Sequence, residues 1–149
     1  MRVKDALTNQ HRAVISLADC NTVADAIDKL RSTGASALIV TKGARPTGIF
    51  TSSDIIRAGV ESSDKPIADI PLKEAMTAEL ISVETEDNIA GAIEAMLRAG
   101  IHHMPVNEDG QIIAILPVND LAAQHIENLE SEIDHLNEYI HQLHDALHD

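Results

Sequence analysis

Gly48-Ile-Phe-Thr-Ser-Ser-Asp54 and Ala114-Ile-Leu-Pro-Val-Asn-Asp120 stand 66 positions apart and share one pattern: a small residue, two apolar residues, three variable positions, then aspartate. The same shift lays Val14-Ile-Ser-Leu17 on Leu80-Ile-Ser-Val83, Ala26-Ile27 on Ala92-Ile93, Leu30 on Met96 and Gly34 on Gly100. Upstream the offset grows to 69, where Val3-Lys-Asp-Ala-Leu7 answers Leu72-Lys-Glu-Ala-Met76. One offset that matches successive apolar anchors marks a tandem repeat.

Each copy reads alike. A short apolar run (Val14–Leu17; Leu80–Val83) predicts a strand. Apolar residues at Val23, Ile27 and Leu30, or at Ile89, Ile93, Met96 and Leu97, recur at helical spacing. Gly34 and Gly100 follow the last periodic residue, where a left-handed helix end favours glycine. Two strands come next, Ala37–Thr41 with Thr47–Phe50 and Ile101–Val106 with Gln111–Leu116, joined by Lys42–Pro46 and Asn107–Gly110 with hairpin turn chemistry. A second helix starts near Thr51 or Pro117. A βαββα unit of about 50 residues buries too little surface to stand alone, so the two should pack on each other. The expected fold is α/β (α+β): tandem βαββα repeats related by a pseudo-twofold axis, plus a long C-terminal helix. The expected boundaries are repeat 1 at 1–58, a polar linker with Pro66 and Pro71 at 59–71, repeat 2 at 72–125 and the tail helix at 126–149.

Composition narrows the function. Hydrophobic residues make up 44% of the 149, which excludes disorder as a description of the whole. Phe50 and Tyr139 are the only aromatic residues, too few for base-stacking platforms, and the net charge of −13 opposes nucleic-acid backbone binding. No run approaches the length of a membrane span and no signal peptide is readable. The single Cys20 suits a reducing compartment. The sequence therefore reads as a cytoplasmic protein with no nucleic-acid or membrane partner.

The repeat resembles a cystathionine-β-synthase (CBS) domain pair, the Bateman module. The resemblance is carried by Leu72–Met76, Gly100-Ile-His-His-Met-Pro-Val106, the Gly110 hairpin and Asp120 in the second copy. In the first copy Gly34-Ala-Ser-Ala-Leu-Ile-Val40 and Gly48–Asp54 carry it, so that it covers roughly residues 1–125. It implies two clefts between the copies, which in that family often take adenosine-containing ligands: AMP, ADP, ATP or S-adenosylmethionine. No cofactor is required.

In such modules Gly-apolar-apolar-Ser/Thr-x-x-Asp is the nucleotide motif, and residues 48–54 fit it. The resemblance implies that Thr51, Ser52 and the adjacent backbone meet phosphate, while Asp54 accepts from ribose hydroxyls. A helix N-terminus offers free N–H groups and positive dipole to an anion. Thr51-x-x-Asp54 is equally an ordinary capping box. The resemblance completes this cleft with Leu80, Ile81, Ser82, Ile101, His102 and His103. His103 stands where relatives often place an arginine against phosphate, a weaker choice because histidine is charged only below about pH 6.5. The bland alternative for His102-His103 is a strand pair with one ring half-buried and one exposed. The opposite cleft would use Val14, Ile15, Ala35, Ser36, Pro117 and Asp120; there Pro117 replaces the hydroxyl and removes an N–H, which predicts an impaired site. Lys42, Arg45 and Arg98 are further basic candidates or simply solvated surface.

No catalytic residues are expected: no HExxH, GxSxG, P-loop or GxGxxG occurs, and Cys20 has no cationic neighbour in sequence. A small enzyme built on His102 and His103 would need ligand turnover to support it. No metal site is expected, the His144/His148 and His141/Asp145 spacings being common on solvated helices.

The C-terminal segment is strongly patterned. Residues 99–149 hold ten acids and no Lys or Arg, and five of the eight histidines (His125, His135, His141, His144, His148) fall after residue 120. Ile126, Leu129, Ile133, Leu136, Ile140, Leu143 and Leu147 alternate spacings of three and four. With Ile126 as heptad position a, isoleucine recurs at a and leucine at d, which favours a parallel two-stranded coiled coil; a helix folded back on the body is the alternative. The flanking acids repel between two copies, relief coming from protonated histidines or a basic partner helix. The reading is thus a regulatory ligand-sensing module that binds an adenosine-containing nucleotide, signals through a homodimeric tail and acts on a separate regulated protein. The alternative is a structural adaptor with empty clefts whose acidic tail recruits a partner.

Overall fold

The computed structural model describes residues 1–7, 14–61 and 64–148, with His148 placed by its backbone. Each repeat builds a three-stranded sheet. In repeat 1, β1 (Ser16–Ala18) leads through α2 (Val23–Thr33) to β2 (Ala37–Lys42), which pairs parallel with β1 and antiparallel with β3 (Arg45–Thr51). In repeat 2, β4 (Val83–Glu84), α5 (Ile89–Ala99), β5 (His103–Glu108) and β6 (Gln111–Pro117) repeat the order. Each hairpin carries a bulge at the same place, between Val40 and Thr41 and between Val106 and Asn107. Gly34 and Gly100 end α2 and α5 at φ of 70° and 68°, a conformation costly for any residue with a Cβ.

The caps differ in chemistry and agree in place. Thr22 and Asp25 form a reciprocal capping box at the start of α2, whereas Asn88 accepts from the N–H groups of Ala90 and Gly91 at α5. The first strands are shorter than their apolar runs. Val14 and Ile15 precede β1, and the β4 ladder holds only Val83 and Glu84, while Ile81, ahead of it, packs on the repeat 2 core and lines a cleft.

The lead-in segments are exchanged between repeats. The short helix α1 (Val3–Leu7) packs Val3 and Ala6 among Ile89, Ala92, Met96, Met104, Val106, Leu116 and Leu121 of repeat 2. Its counterpart α4 (Leu72–Ala75) packs Leu72 and Ala75 with Val23, Ala26, Leu38, Val40 and Phe50 of repeat 1. The backbone repeats the exchange. Val3 N–H donates to the Asp87 carbonyl (2.8 Å) and Leu72 N–H to that of Asn21 (2.7 Å), while Ile89 N–H reaches Met1 O and Val23 N–H reaches Ile70 O. Arg2 and Lys4 both bridge to Glu86, whose carboxyl is held below the usual range, first by the Lys4 hydrogen bond and then by Arg2. Neither core closes without a segment from outside its own repeat.

Between the repeats, α3 (Ser52–Glu61) is followed by a 3₁₀ turn at Ile67–Asp69, and Ile70 is buried in the repeat 1 core. The second helix of repeat 2 and the tail are one element, α6 (Val118–His148), with Pro117 ending β6 rather than opening the helix. Leu121 is buried, but the heptad residues from Ile126 to Leu147 are all exposed, between 43% and 83%. The tail does not fold back over the body.

Candidate functional site

Thr51 ends β3 immediately before α3, so the chain turns there from sheet to helix with Ser52, Ser53 and Asp54 in the first turn. Asp54 is 3% exposed. Its Oδ2 accepts the Thr51 N–H (2.9 Å), and its Oδ1 accepts both the Thr77 hydroxyl (2.7 Å) and Nη2 of Arg57 (2.9 Å). Buried carboxylates survive only with such partners. The Thr51 bond joins the end of β3 to the first turn of α3; the Thr77 bond ties α3 to the chain entering repeat 2.

Beside Asp54 lies a cleft of about 110 Å³ whose lining comes from both repeats. Repeat 1 supplies Ile49, Thr51, Ser53 and Asp54; the following chain supplies Thr77, Glu79 and Ile81; repeat 2 supplies Gly100, Ile101, His102, His103 and Pro105. Of the expected residues, Thr51, Asp54, Ile81, Ile101, His102 and His103 meet here. Ser52, Leu80 and Ser82 do not line it. In the extended segment alternate side chains face opposite ways, so Glu79 and Ile81 face the cleft while Leu80 and Ser82 face away. Ser52 departs from the wall because successive helical side chains diverge by about 100°.

His103 is half-buried and its Nε2 lies 2.9 Å from the Ser36 hydroxyl, across the repeats. Burial, and secondarily the charge of His102, lowers its pKa below the usual 6.5, so the ring is neutral at neutral pH. His102 is exposed, and its carbonyl accepts the N–H of Val118, the first residue of α6, at 2.8 Å. A wall of the cleft is therefore hydrogen-bonded to the start of the tail helix.

The sequence patterns do not single out Arg57, Thr77, Glu79 or Ser53. Arg57 has a usable signal, three residues beyond Asp54 on one helix. Thr77 has none, since its contact depends on where the linker crosses. The opposite set borders residues 8–13. Ile15 packs on the repeat 1 core, Val14 and Ala35 are half-buried, Ser36 faces His103, Pro117 ends β6 and Asp120 is engaged by neighbours. Residues 8–13, which precede Val14, lie outside the described residues. Lys42, Arg45 and Arg98 are exposed and do not line the cleft. Among the described residues no group of three or more His, Cys, Asp or Glu could hold a metal ion. His141 and Asp145 stand 3.8 Å apart on the exposed tail, and the His148 side chain lies outside the described residues. No helix among the described residues is long and apolar enough to cross a membrane.

The CBS domain family model matches residues 12–61 and 67–125. The chain belongs to the CBS-domain family. CBS-domain proteins are regulatory modules rather than catalysts as a class. The chain is 28% identical over 127 residues to the mitochondrial CBS domain-containing protein CBSX3 of Arabidopsis thaliana, covering 80% of this chain and 60% of that one. It is 26% identical over 127 residues to the CBS domain-containing protein YhcV of Bacillus subtilis, covering 85% and 86%. A 17.7 kDa protein of Acidianus ambivalens is 29% identical over 103 residues, 68% of this chain. The chain spans about 60% of the length of the Arabidopsis and Acidianus relatives. Its fold superposes on the CBS-domain protein of Agrobacterium tumefaciens with a TM-score of 0.77 at 23% identity, covering 84% of this chain and 99% of that one. A CBS domain protein of Pyrobaculum aerophilum, solved in complex with AMP, has a TM-score of 0.67 at 23% identity, covering 80% and 89%.

Proposed function

We propose that this CBS-domain protein is a regulatory sensor that binds an adenosine-type ligand in the cleft beside Asp54 and transmits occupancy to a tail paired with a second copy. The observation that carries the reading is the composition of the cleft: a helix N-terminus and an acidic acceptor from repeat 1 face an apolar and histidine wall from repeat 2. The N–H groups opening α3 suit a 5′-phosphate. Ile49, Ile81, Ile101 and Pro105 suit an adenine face. Asp54 suits a ribose hydroxyl, with the Thr77 hydroxyl occupying the acceptor that the ribose would take. At about 110 Å³ the cleft is smaller than the ~300–1,000 Å³ usual for small-molecule sites, so the ligand must part the lining. Binding that opens the cleft shifts the conformational balance only by its preference for the open form.

The link from His102 to Val118 supports a route from cleft to tail. Outward-facing Ile126, Ile133 and Ile140 with Leu129, Leu136 and Leu143 support parallel pairing of two tails. The ligand candidates are AMP, ADP, ATP and S-adenosylmethionine, the compartment is the cytoplasm, and the regulated protein is a separate chain. The test is a two-dimensional amide NMR titration with adenosine and AMP. Saturable shifts clustered at Thr51, Ser53, Thr77, Ile81, His102 and His103, lost in Asp54→Ala, support the reading; no shifts, or shifts elsewhere, overturn it.

The exposed apolar row on α6 also favours a second reading, a structural adaptor with empty clefts. Its acidic flanks would then recruit a basic helix. In that case the tail exchanges partners irrespective of any nucleoside, which distinguishes it from the sensor.

A further inference from the structure

The charges around the cleft specify its ligand further, and the argument rests on the sensor reading above. Among the described residues that line it there is no Lys or Arg. Its ionisable side chains are Asp54, Glu79, His102 and His103. Arg57, the guanidinium paired with Asp54, does not line the cleft. Its Nη2 is held by Asp54 Oδ1 at 2.9 Å, by the Ala75 carbonyl at 2.7 Å and by that of Met76 at 3.3 Å. Arg57 lines a separate cavity of about 290 Å³ with Ala58, Glu61 and Glu74. Moving it to a ligand would strip two carbonyls and leave the Asp54 carboxylate buried without its counter-charge, which low-dielectric surroundings penalise.

His103 does not supply the missing charge. Its ring is desolvated, its neighbour is a second histidine, and its Nε2 is engaged by Ser36. What remains for an anion is the opening turn of α3, a partial charge of about +0.5 that decays within one turn. Glu79 faces the same space with a full negative charge and has no counter-ion among the lining residues. The chain as a whole carries −13.

We infer that the cleft selects an adenosine ligand carrying at most one phosphate and discriminates against adenosine di- and triphosphates. One phosphate can sit on the α3 N–H groups. Each further phosphate adds negative charge beside Glu79 with no cation to meet it. The selectivity is electrostatic and therefore falls as salt screens it.

The test is isothermal titration calorimetry of the intact chain with adenosine, AMP, ADP and ATP at fixed low ionic strength, in EDTA and again with Mg²⁺. AMP should bind tightest of the three nucleotides, with ATP weaker by roughly ten-fold or more in EDTA. Adding salt or Mg²⁺ should narrow that gap. Glu79→Gln should narrow it, and Glu79→Lys should narrow it further by raising ATP affinity more than AMP affinity. Because Glu79 is exposed, both variants should fold, which circular dichroism verifies. ATP binding as tightly as AMP in EDTA, or an ATP-to-AMP ratio unmoved by Glu79→Lys, overturns the inference while leaving the sensor reading in place. Failure of all four compounds to bind overturns both.

Discussion

Val3 and Leu72 hold equivalent places in the two repeats, and each is fully buried in the hydrophobic core of the other repeat. The lead-ins act as mutual clasps: α1 closes the core of repeat 2 and α4 closes that of repeat 1. Truncating either clasp should therefore weaken a repeat to which it does not belong by sequence.

Leu72→Ala should cost about 2–5 kcal/mol, the range for deleting a fully buried leucine side chain. Val3→Ala removes less and should cost about 1.5–3 kcal/mol. Urea unfolding followed by circular dichroism gives the loss. Hydrogen exchange should locate the first loss of protection in β2 and β3 for Leu72→Ala, and in β5 and β6 for Val3→Ala.

Asp54→Ala removes the acceptor of three hydrogen bonds at once and leaves Arg57 with carbonyls alone. A loss of about 2–3 kcal/mol follows from one helix cap and one charge-assisted bond. Thr77→Val, which removes only a hydroxyl, should cost about 1 kcal/mol. Denaturant midpoints of the two variants separate the cap and ion pair from the cross-repeat hydroxyl.

A Cβ at Gly48 would lie 2.6 Å from Met76 Sδ and 2.7 Å from the Thr77 carbonyl. The backbone there is paired, Ile49 N–H donating to Thr77 O (3.0 Å) and Thr77 N–H to Ile49 O (2.9 Å). Gly48→Ala should force these apart at a cost of about 1–3 kcal/mol and raise amide exchange at Ile49 and Thr77. The repeat 2 counterpart is already Ala114, so Ala114→Gly should be mild by comparison.

His103 has a lowered pKa, from burial first and from His102 second. The unfolded ring titrates near its ordinary 6.5 and the folded ring lower, so between those values the unfolded state binds more protons. This contribution to stability is whole above pH 6.5 and is lost as pH falls through the folded value. The thermal midpoint should drop on acidification from pH 7 towards 5, and His103→Gln should flatten the drop.

The seven exposed seam residues of α6 span roughly 33 Å at the helical rise of 1.5 Å per residue. Replacing Leu136 and Leu143 by aspartate together should convert a dimer to a monomer in sedimentation equilibrium. The thermal midpoint of the body should change little, because both residues are exposed in the single chain.

The repeat offset, the strand and helix order, the glycine helix ends and the tail heptads are local or periodic features, and each is legible in the order of residues alone. So is half of the cleft: Thr51 and Asp54 fall in one helical turn, and His102 and His103 are adjacent. The exchange of α1 and α4 is not legible there, because Val3 and Leu72 are equally apolar wherever they dock. Nor is the pinning of Arg57 by Ala75 and Met76, 18 and 19 positions away, or the meeting of Ser36 with His103 across 67. Sequence by itself determined which segments are strand, helix and amphipathic seam, because those follow from the spacing of side chains along one chain direction. Tertiary structure alone decided which charges face the cleft, because burial and pairing depend on what the rest of the chain brings alongside.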